Sequence, residues 1–380
     1  MYITNAYYVD RRLSFLLISC QKIYILVLFT FTVLFFISPK TVEARLFERE
    51  VIFNKKDVMW ENMSIPNKVI NHMVNGDSLN LVSIFQADPT IFYHNETYYL
   101  YGTKGGNADL GFEVYQSKDL IYWEGPVGFN KGFALVKSDV FGDIGFWAPQ
   151  VWYENGKFLM AYTANENIAI AVSDSPLGPF KQRHHKPIID IGKQIDPFIF
   201  KDSDGKKYLY HVKLQASNRI FVAELNDDYS GIKKETLKEC IAAVMNWENV
   251  DNVSWSVVEG PTVIRHGNHY YMFYSANDFR NPKYAVGVAV SDNVYGPWER
   301  IGAHALLSID NTHWSGTGHG DVFKKGDIWY YVCHTHFSEK KVGPRRTAII
   351  PFSFDKSEDR ISMPIFNGKQ LYHLKTANGR

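Results

Sequence analysis

The sequence predicts an all-β chain, a five-bladed β-propeller with four antiparallel strands per blade, and three observations lead there. A hairpin phrase recurs five times. A proline opens four of those five phrases, at intervals of roughly 50 to 60 residues. A second phrase, alternating apolar with small or polar residues, follows each hairpin, so each unit supplies about four short strands, the content of one blade.

The first unit contains Asp88-Pro89, the apolar run Ile91 to Tyr93, a turn at His94-Asn95-Glu96 and the aromatic strand Tyr98 to Gly102. Ala148-Pro149 opens the second, with its turn at Asn155-Gly156, and Asp196-Pro197 opens the third, with its turn at Asp204-Gly205. Glu259-Gly260-Pro261 opens the fourth, which turns at Gly267-Asn268; the fifth starts at Gly318 without a proline and turns at Gly326-Asp327. Asn-Gly and Asp-Gly dipeptides between β-branched and aromatic runs are strong hairpin signals, because a tight turn needs positive φ. The alternating phrases run Gly111 to Pro126, Ile168 to Phe180, Ile220 to Ile232, Tyr284 to Trp298 and Thr347 to Asp359.

With 380 residues, 46% of them hydrophobic, the chain has ample core for such a ring, and 15% aromatics suit packed blades or sugar-stacking clefts. A formal net charge of +1 and the lack of a long basic run argue against a nucleic-acid partner. Residues 1–44 are read as an export signal: Arg11-Arg12, apolar runs from Leu13 to Ser19 and Ile23 to Ser38, and a small-residue site at Val42-Glu43-Ala44. The alternatives are an N-terminal membrane anchor and a lipoprotein-type box at Leu17 to Cys20; Ile23 to Ser38 falls short of the roughly 20 residues of a spanning helix. A membrane partner is expected only if this segment is not cleaved. Residues 45–80 form a polar extension and residues 81–380 the propeller. Cys240 and Cys333 are expected to be free thiols.

The chemistry follows from the unit openings. The first strand of each propeller blade lines the central channel, so residues at the openings of different units converge. Asp88, Asp196 and Glu259 stand there. A lone Asp-Pro is also an ordinary turn starter. Three acids at one mouth would repel one another and raise at least one pKa, with no structural return. Split carboxylate pKa values suit glycosidic cleavage, in which one acid donates to the leaving oxygen and another activates water or attacks. Trp147 is either an aromatic platform for a sugar face or a core indole. His319, flanked by glycines, is notable only for its place on the axis.

The phrases Ala87-Asp88-Pro89, Trp147-Ala148-Pro149, Asp196-Pro197-Phe198, Glu259-Gly260-Pro261 and Gly318-His319, in this order over Phe85 to Asp355, resemble the motif set of glycoside hydrolase family 43. The resemblance implies a five-bladed propeller and an inverting enzyme, chiefly an α-L-arabinofuranosidase, β-xylosidase, arabinanase or galactan-active hydrolase. It implies Asp88 as general base, Glu259 as general acid, and Asp196 as the carboxylate that tunes and orients that acid. It further implies Trp147 walling the sugar subsite, Arg345 reaching the sugar, and His319 touching an axial calcium that the chemistry does not require. No accessory β-sandwich is expected.

The leading expectation is therefore release of α-L-arabinofuranosyl units from plant-type polysaccharide side chains or oligosaccharides, with β-xylosidase or arabinan and galactan hydrolysis as alternatives. A retaining fructan-type hydrolase is the nearest enzymatic rival, but the Asn-Asp-Pro-Asn style opening is replaced by Ala87-Asp88-Pro89-Thr90. A non-catalytic carbohydrate-binding propeller would not need acids at three openings.

Overall fold

The computed structural model describes residues 81–189, 191–355 and 361–377. A short strand, Leu81–Ser83 (β1), precedes blade one, which contains Gln86–His94 (β2), Thr97–Lys104 (β3), Gly111–Ser117 (β4) and Phe133–Val136 (β5). Blade two is Trp147–Glu154 (β6), Lys157–Ala164 (β7) and Asn167–Ser173 (β8). Blade three is Gln194–Lys201 (β9), Lys207–Leu214 (β10), Asn218–Glu224 (β11) and Lys238–Ile241 (β12). Blade four is Val258–His266 (β13), His269–Ala276 (β14), Ala285–Ser291 (β15) and Glu299–Arg300 (β16). Blade five is Gly318–Lys325 (β17), Ile328–Thr335 (β18) and Arg346–Phe354 (β19), and both Pro364–Phe366 (β20) and Tyr372–His373 (β21) pair with β19. Lys375–Ala377 (β22) returns to β1.

The five-bladed ring is thus as the repeats predict, with two departures from four strands per blade. Blade two has three, and only Lys181 bridges the outer edge at Val172. Pro176, Pro179 and Pro187 remove backbone donors around the place where a fourth strand would pair. In blade five, β19 is long enough to take two short partners. The expected export signal over residues 1–44 and the extension over 45–80 lie outside the described residues. Cys240 and Cys333 are free.

The middle strands read as nearly continuous apolar runs because both of their faces are covered. Side chains alternate between faces along a strand. Tyr271 and Phe273 of β14 therefore pack toward blade five with Tyr331, Cys333 and Ile350, whereas Tyr270, Met272 and Tyr274 pack toward blade three with Tyr208, Tyr210 and Val222. Each neighbouring pair of blades shares a core cluster of this kind, including the blade five to blade one seam, where Phe323 and Val332 meet Ile91 and Leu100.

The proline motifs are not turns ahead of the strands. They are bulges inside them. The pairing register slips between Ala87 and Thr90, Trp147 and Gln150, Glu259 and Thr262, and Gly318 and Asp321, and opposite Asp196-Pro197 in blade three. A bulge tolerates the missing proline donor and re-aims a side chain. At each bulge one residue takes positive φ: Asp88 at 49°, Ala148 at 46°, Asp196 at 57°, Gly260 at 59° and His319 at 39°. Glu259 therefore stands one residue before its bulge, in the slot that Trp147 fills in blade two.

Candidate active site

The bulged N–H groups need partners, and the adjacent blade provides them. Ala148 N–H donates to Thr103 Oγ1 (3.0 Å), Asp196 N–H to Thr163 Oγ1 (3.0 Å), His319 N–H to Ser275 Oγ (2.8 Å) and Asp88 N–H to His334 Nδ1 (3.1 Å). Each acceptor sits on the second strand of the preceding blade. Blade three has Val212 in that slot, with no acceptor, and Gly260 N–H instead donates to the Asp196 carboxylate (Oδ2, 3.2 Å). Asp196 is in this way tied to the peptide that follows Glu259.

The structure brings Asp88, Asp196, Glu259, His319 and Arg345 together. The three acids are 8%, 5% and 9% exposed. Asp88 Oδ1 accepts from Arg345 Nη1 (3.0 Å) and Oδ2 from Thr103 Oγ1 (2.6 Å). His319 Nδ1 lies 3.4 Å from Asp88 Oδ1 and 3.9 Å from Asp196 Oδ2. Glu259 Oε1 accepts from Tyr284 Oη (2.9 Å) and Oε2 from Asn218 Nδ2 (3.2 Å). Asp88, Asp196 and His319 line an axial cavity together with Ala148, Gly260 and Asp321. Trp147 is half-buried, packed at the edge of the core between blades three and four.

Burial favours the neutral form of all three carboxyls, and their unequal neighbours drive them apart in protonation. Burial favours neutral Asp88, but the Arg345 guanidinium, then His319, His334 and the Thr103 hydroxyl, outweigh it and hold the group well below the usual carboxylate range. Glu259 is pushed up to about 7 by burial; the Asp88 charge adds to the rise, and the bonds from Tyr284 and Asn218 oppose it. Asp196 is raised well above the ordinary value by burial and by the charges of Glu259 and Asp88. His319 and His334 are both lowered, chiefly by burial. Near neutral pH the site thus holds an ionised Asp88 beside Arg345 and Glu259 near its titration point, with Asp196 displaced upward from the ordinary carboxylate range.

The sequence expectation gives the charge that holds Glu259 protonated to Asp196. The repulsion between Asp196 and Glu259 is present, the Asp88 charge adds to it, and Asp196 also accepts from the Gly260 backbone. Arg345 is engaged with Asp88, 3.2 Å from His334 Nε2 and over the Phe279 ring at 4.6 Å. His334, Tyr284, Asn218 and Thr103 went unnoticed in the sequence. The one signal for His334 and Thr103 is their shared second-strand slot, visible only once the bulge register is known.

A calcium ion requires six to eight oxygen ligands. The His319 imidazole faces carboxylates, one of them bound to Arg345, and next to it in sequence Asp321 Oδ2 accepts from Thr90 Oγ1 (2.6 Å) and Gly320 O from Thr262 Oγ1 (2.8 Å). Among the described residues no three His, Cys, Asp or Glu side chains gather as a metal site. An ion touching His319 would therefore be held mostly by water.

The arrangement can move a proton out of one group and into another across a single enclosed site. Comparisons with known proteins agree with it. The family model described as "Glycosyl hydrolases family 43" matches residues 80–358. An endo-1,4-β-xylanase structure from Bacteroides thetaiotaomicron is 36% identical, with a TM-score of 0.71, covering 79% of this chain and 99% of that one. An extracellular exo-α-(1→5)-L-arabinofuranosidase from Cellvibrio japonicus is 25% identical over 279 residues, 66% of this chain and 78% of its own length. A β-D-galactofuranosidase from Aspergillus niger is 24% identical over 285 residues, 70% of this chain and 78% of its own length. A five-bladed ring with its acids on the inner strands and a family match over residues 80–358 lead to one conclusion: the chain belongs to glycosyl hydrolase family 43 and is a glycoside hydrolase.

Proposed function

We propose that the protein is an inverting, exo-acting hydrolase that releases α-L-arabinofuranosyl units from plant-type polysaccharide side chains or oligosaccharides. Asp88 serves as general base, Glu259 as general acid, and Asp196 as the residue that orients Glu259 through Gly260. The observation that carries the reading is one buried site in which Asp88 is held by the Arg345 cation and the Thr103 hydroxyl, whereas Glu259 is held only by the neutral groups of Tyr284 and Asn218. In the reaction, Asp88 takes a proton from water while the water oxygen bonds to the anomeric carbon. The glycosidic bond breaks, its electron pair stays on the leaving oxygen, and that oxygen takes the Glu259 proton.

Trp147 is proposed to wall the sugar subsite and Arg345 to reach the sugar while holding Asp88. Exo action is part of the proposal; the loop around Phe279 reaches blade five, its carbonyl 2.8 Å from His336 Nε2, and the Phe279 ring lies over Arg345. Export is proposed from the apolar N-terminal segment and the extracellular relative; among the described residues no helix is long and apolar enough to cross a membrane.

β-Xyloside hydrolysis is the second reading, favoured by the xylanase name of the 36%-identical structure. Purified protein assayed on p-nitrophenyl α-L-arabinofuranoside, β-D-xyloside and β-D-galactoside, beside arabinan, xylan and galactan, separates the readings. The arabinofuranoside is expected to give the highest kcat/KM; a higher value on the xyloside would favour the second reading. Asp88→Asn and Glu259→Gln are each expected to lower kcat about 10²- to 10⁴-fold with the fold intact. Sugar binding without turnover by the wild type would sink the enzymatic reading, and a retained anomer in early proton NMR spectra would sink the inverting one.

A further inference from the structure

Residues 242–257, between blades three and four, carry a well-anchored loop that the mechanism above does not use. Glu248 in it is fully buried and accepts from Arg300 Nε (2.6 Å) and Nη2 (3.2 Å), Tyr274 Oη (2.6 Å) and the backbone N–H groups of Val244 (2.7 Å) and Met245 (2.9 Å). Asn277 accepts from Val250 N–H (3.0 Å) and donates to Trp247 O (2.9 Å). Asn249 brackets Val253 through its amide, and the Ser256 and Val257 carbonyls accept from Asn218 and Asn277 N–H. Between these pinned ends stands Trp255, 49% exposed.

The indole of Trp255 is not merely a surface ring. Its N–H donates to Asn218 Oδ1 (2.9 Å), and Asn218, itself 8% exposed, donates through Nδ2 to Glu259 Oε2 (3.2 Å). An indole nitrogen only donates. It therefore fixes which end of the Asn218 amide faces it, and leaves the NH₂ end for Glu259. The other oxygen, Oε1, is held by Tyr284, whose ring stacks on His334, the partner of Asp88 N–H. Oε1 thus marks the edge toward the base, and Oε2 the edge away from it.

We propose that Trp255 is a positioning and specificity residue on the leaving-group side: its exposed face stacks on the departing sugar ring, and its N–H sets the Asn218 amide that aligns Glu259. The proposal rests on Glu259 being the general acid. The acid delivers its proton to the glycosidic oxygen, so a ring beyond Oε2 meets the part of the substrate that leaves. A rigid loop suits such a platform, since a pre-ordered aromatic face loses little freedom on binding.

The sign of the accompanying pH effect follows from the same amide. Asp88, Asp196, Arg345 and Tyr284 face Glu259 in the wild type and in every Trp255 variant. With the indole N–H gone, the Asn218 amide is free to turn its oxygen to Glu259, where it accepts only from the protonated acid. Glu259 then holds its proton to higher pH, and the alkaline limb of kcat/KM moves up.

The test uses Trp255→Ala, Trp255→Phe and Asn218→Leu on two substrates with one glycone: arabinobiose and α-L-arabinofuranosyl fluoride, or xylobiose and β-D-xylosyl fluoride, whichever the wild type accepts. Fluoride offers no ring to stack and needs little acid assistance. In Trp255→Ala the loss of kcat/KM on the disaccharide should exceed that on the fluoride about tenfold, mostly through KM. Trp255→Phe, which keeps a ring but no N–H, should restore most of that loss and move the alkaline limb upward, as Asn218→Leu should. Equal losses on the two substrates in Trp255→Ala, or an unmoved limb in Trp255→Phe, would overturn the proposal. A Glu259→Gln enzyme with an intact disaccharide rate would instead overturn the general-acid reading, and this proposal with it.

Discussion

Arg345 acts on both ends of the catalytic couple. Its guanidinium lies 3.0 Å from Asp88 and is the largest force holding that carboxyl ionised against burial; the same cation also pulls Glu259 down. Arg345→Gln removes one positive charge from two buried acids, so both pKa values rise. A general base works only above its pKa and a general acid only below its own. The acid limb of kcat/KM should therefore move to higher pH, and the alkaline limb, set by Glu259 near 7, should move the same way. A pH profile of the variant checks it, and a bell that narrows from one side only would contradict this charge assignment. At this scale the three acids were legible because each adjoins a Pro-marked bulge. Their partners were not: Asn218 and His334 lie on other strands and Tyr284 just before β15, and their sequence surroundings differ in nothing from ordinary core strands.

The elements owe their alignment to the inter-blade bonds at the bulges. A non-glycine residue at positive φ costs on the order of 1–3 kcal/mol, and such strain persists only where surrounding contacts hold it. For Asp196 the holding contact is the Thr163 hydroxyl. Thr163→Val is nearly isosteric and leaves a buried N–H without a partner, so stability should fall by about 1–3 kcal/mol in urea denaturation. An unchanged midpoint would mean that the bulge is held by strand pairing alone. The hairpins were legible because their turn chemistry is local: Asn95 and Glu96, or Asn155 and Gly156, take the positive φ that the dipeptides foretell. The outer strands were not. Glu299–Arg300 is two residues long, and the blade two edge is a single bridge at Lys181. Strands this short carry no period to read.

The ring as a whole closes between the start of the fifth alternating phrase, at Thr347, and two segments around Ile84 and Leu374 that lie outside the repeats. Thr347, at the inner end of β19, accepts from Gln86 N–H (3.2 Å) and donates to Gln86 O (2.7 Å) through its hydroxyl, 261 positions away in sequence. Its N–H donates to Ile84 O (3.1 Å), its carbonyl accepts from Leu374 N–H (2.9 Å), and Ile84 N–H donates to Leu374 O (3.0 Å). β1 and β22 pair just beyond, and Thr376 bridges Trp123 of blade one. Contacts this distant leave no local pattern, which is why the repeats foretell five blades but not the clasp that joins the last to the first. Leu374 is fully buried in the seam cluster with Ile84, Leu120 and Trp123. Leu374→Ala should cost about 2–5 kcal/mol, the range for a leucine truncated in a packed core. The more telling measurement is where the loss appears. If the clasp opens as a local unit, the amides of Ile84, Thr347 and Leu374 should exchange with solvent faster in the variant, while those of the blade three strand around Tyr210 keep wild-type protection under conditions where sub-global opening is resolved. Acceleration spread evenly over all five blades would mean that the ring opens only by global unfolding, and that the clasp is one more part of a single cooperative core.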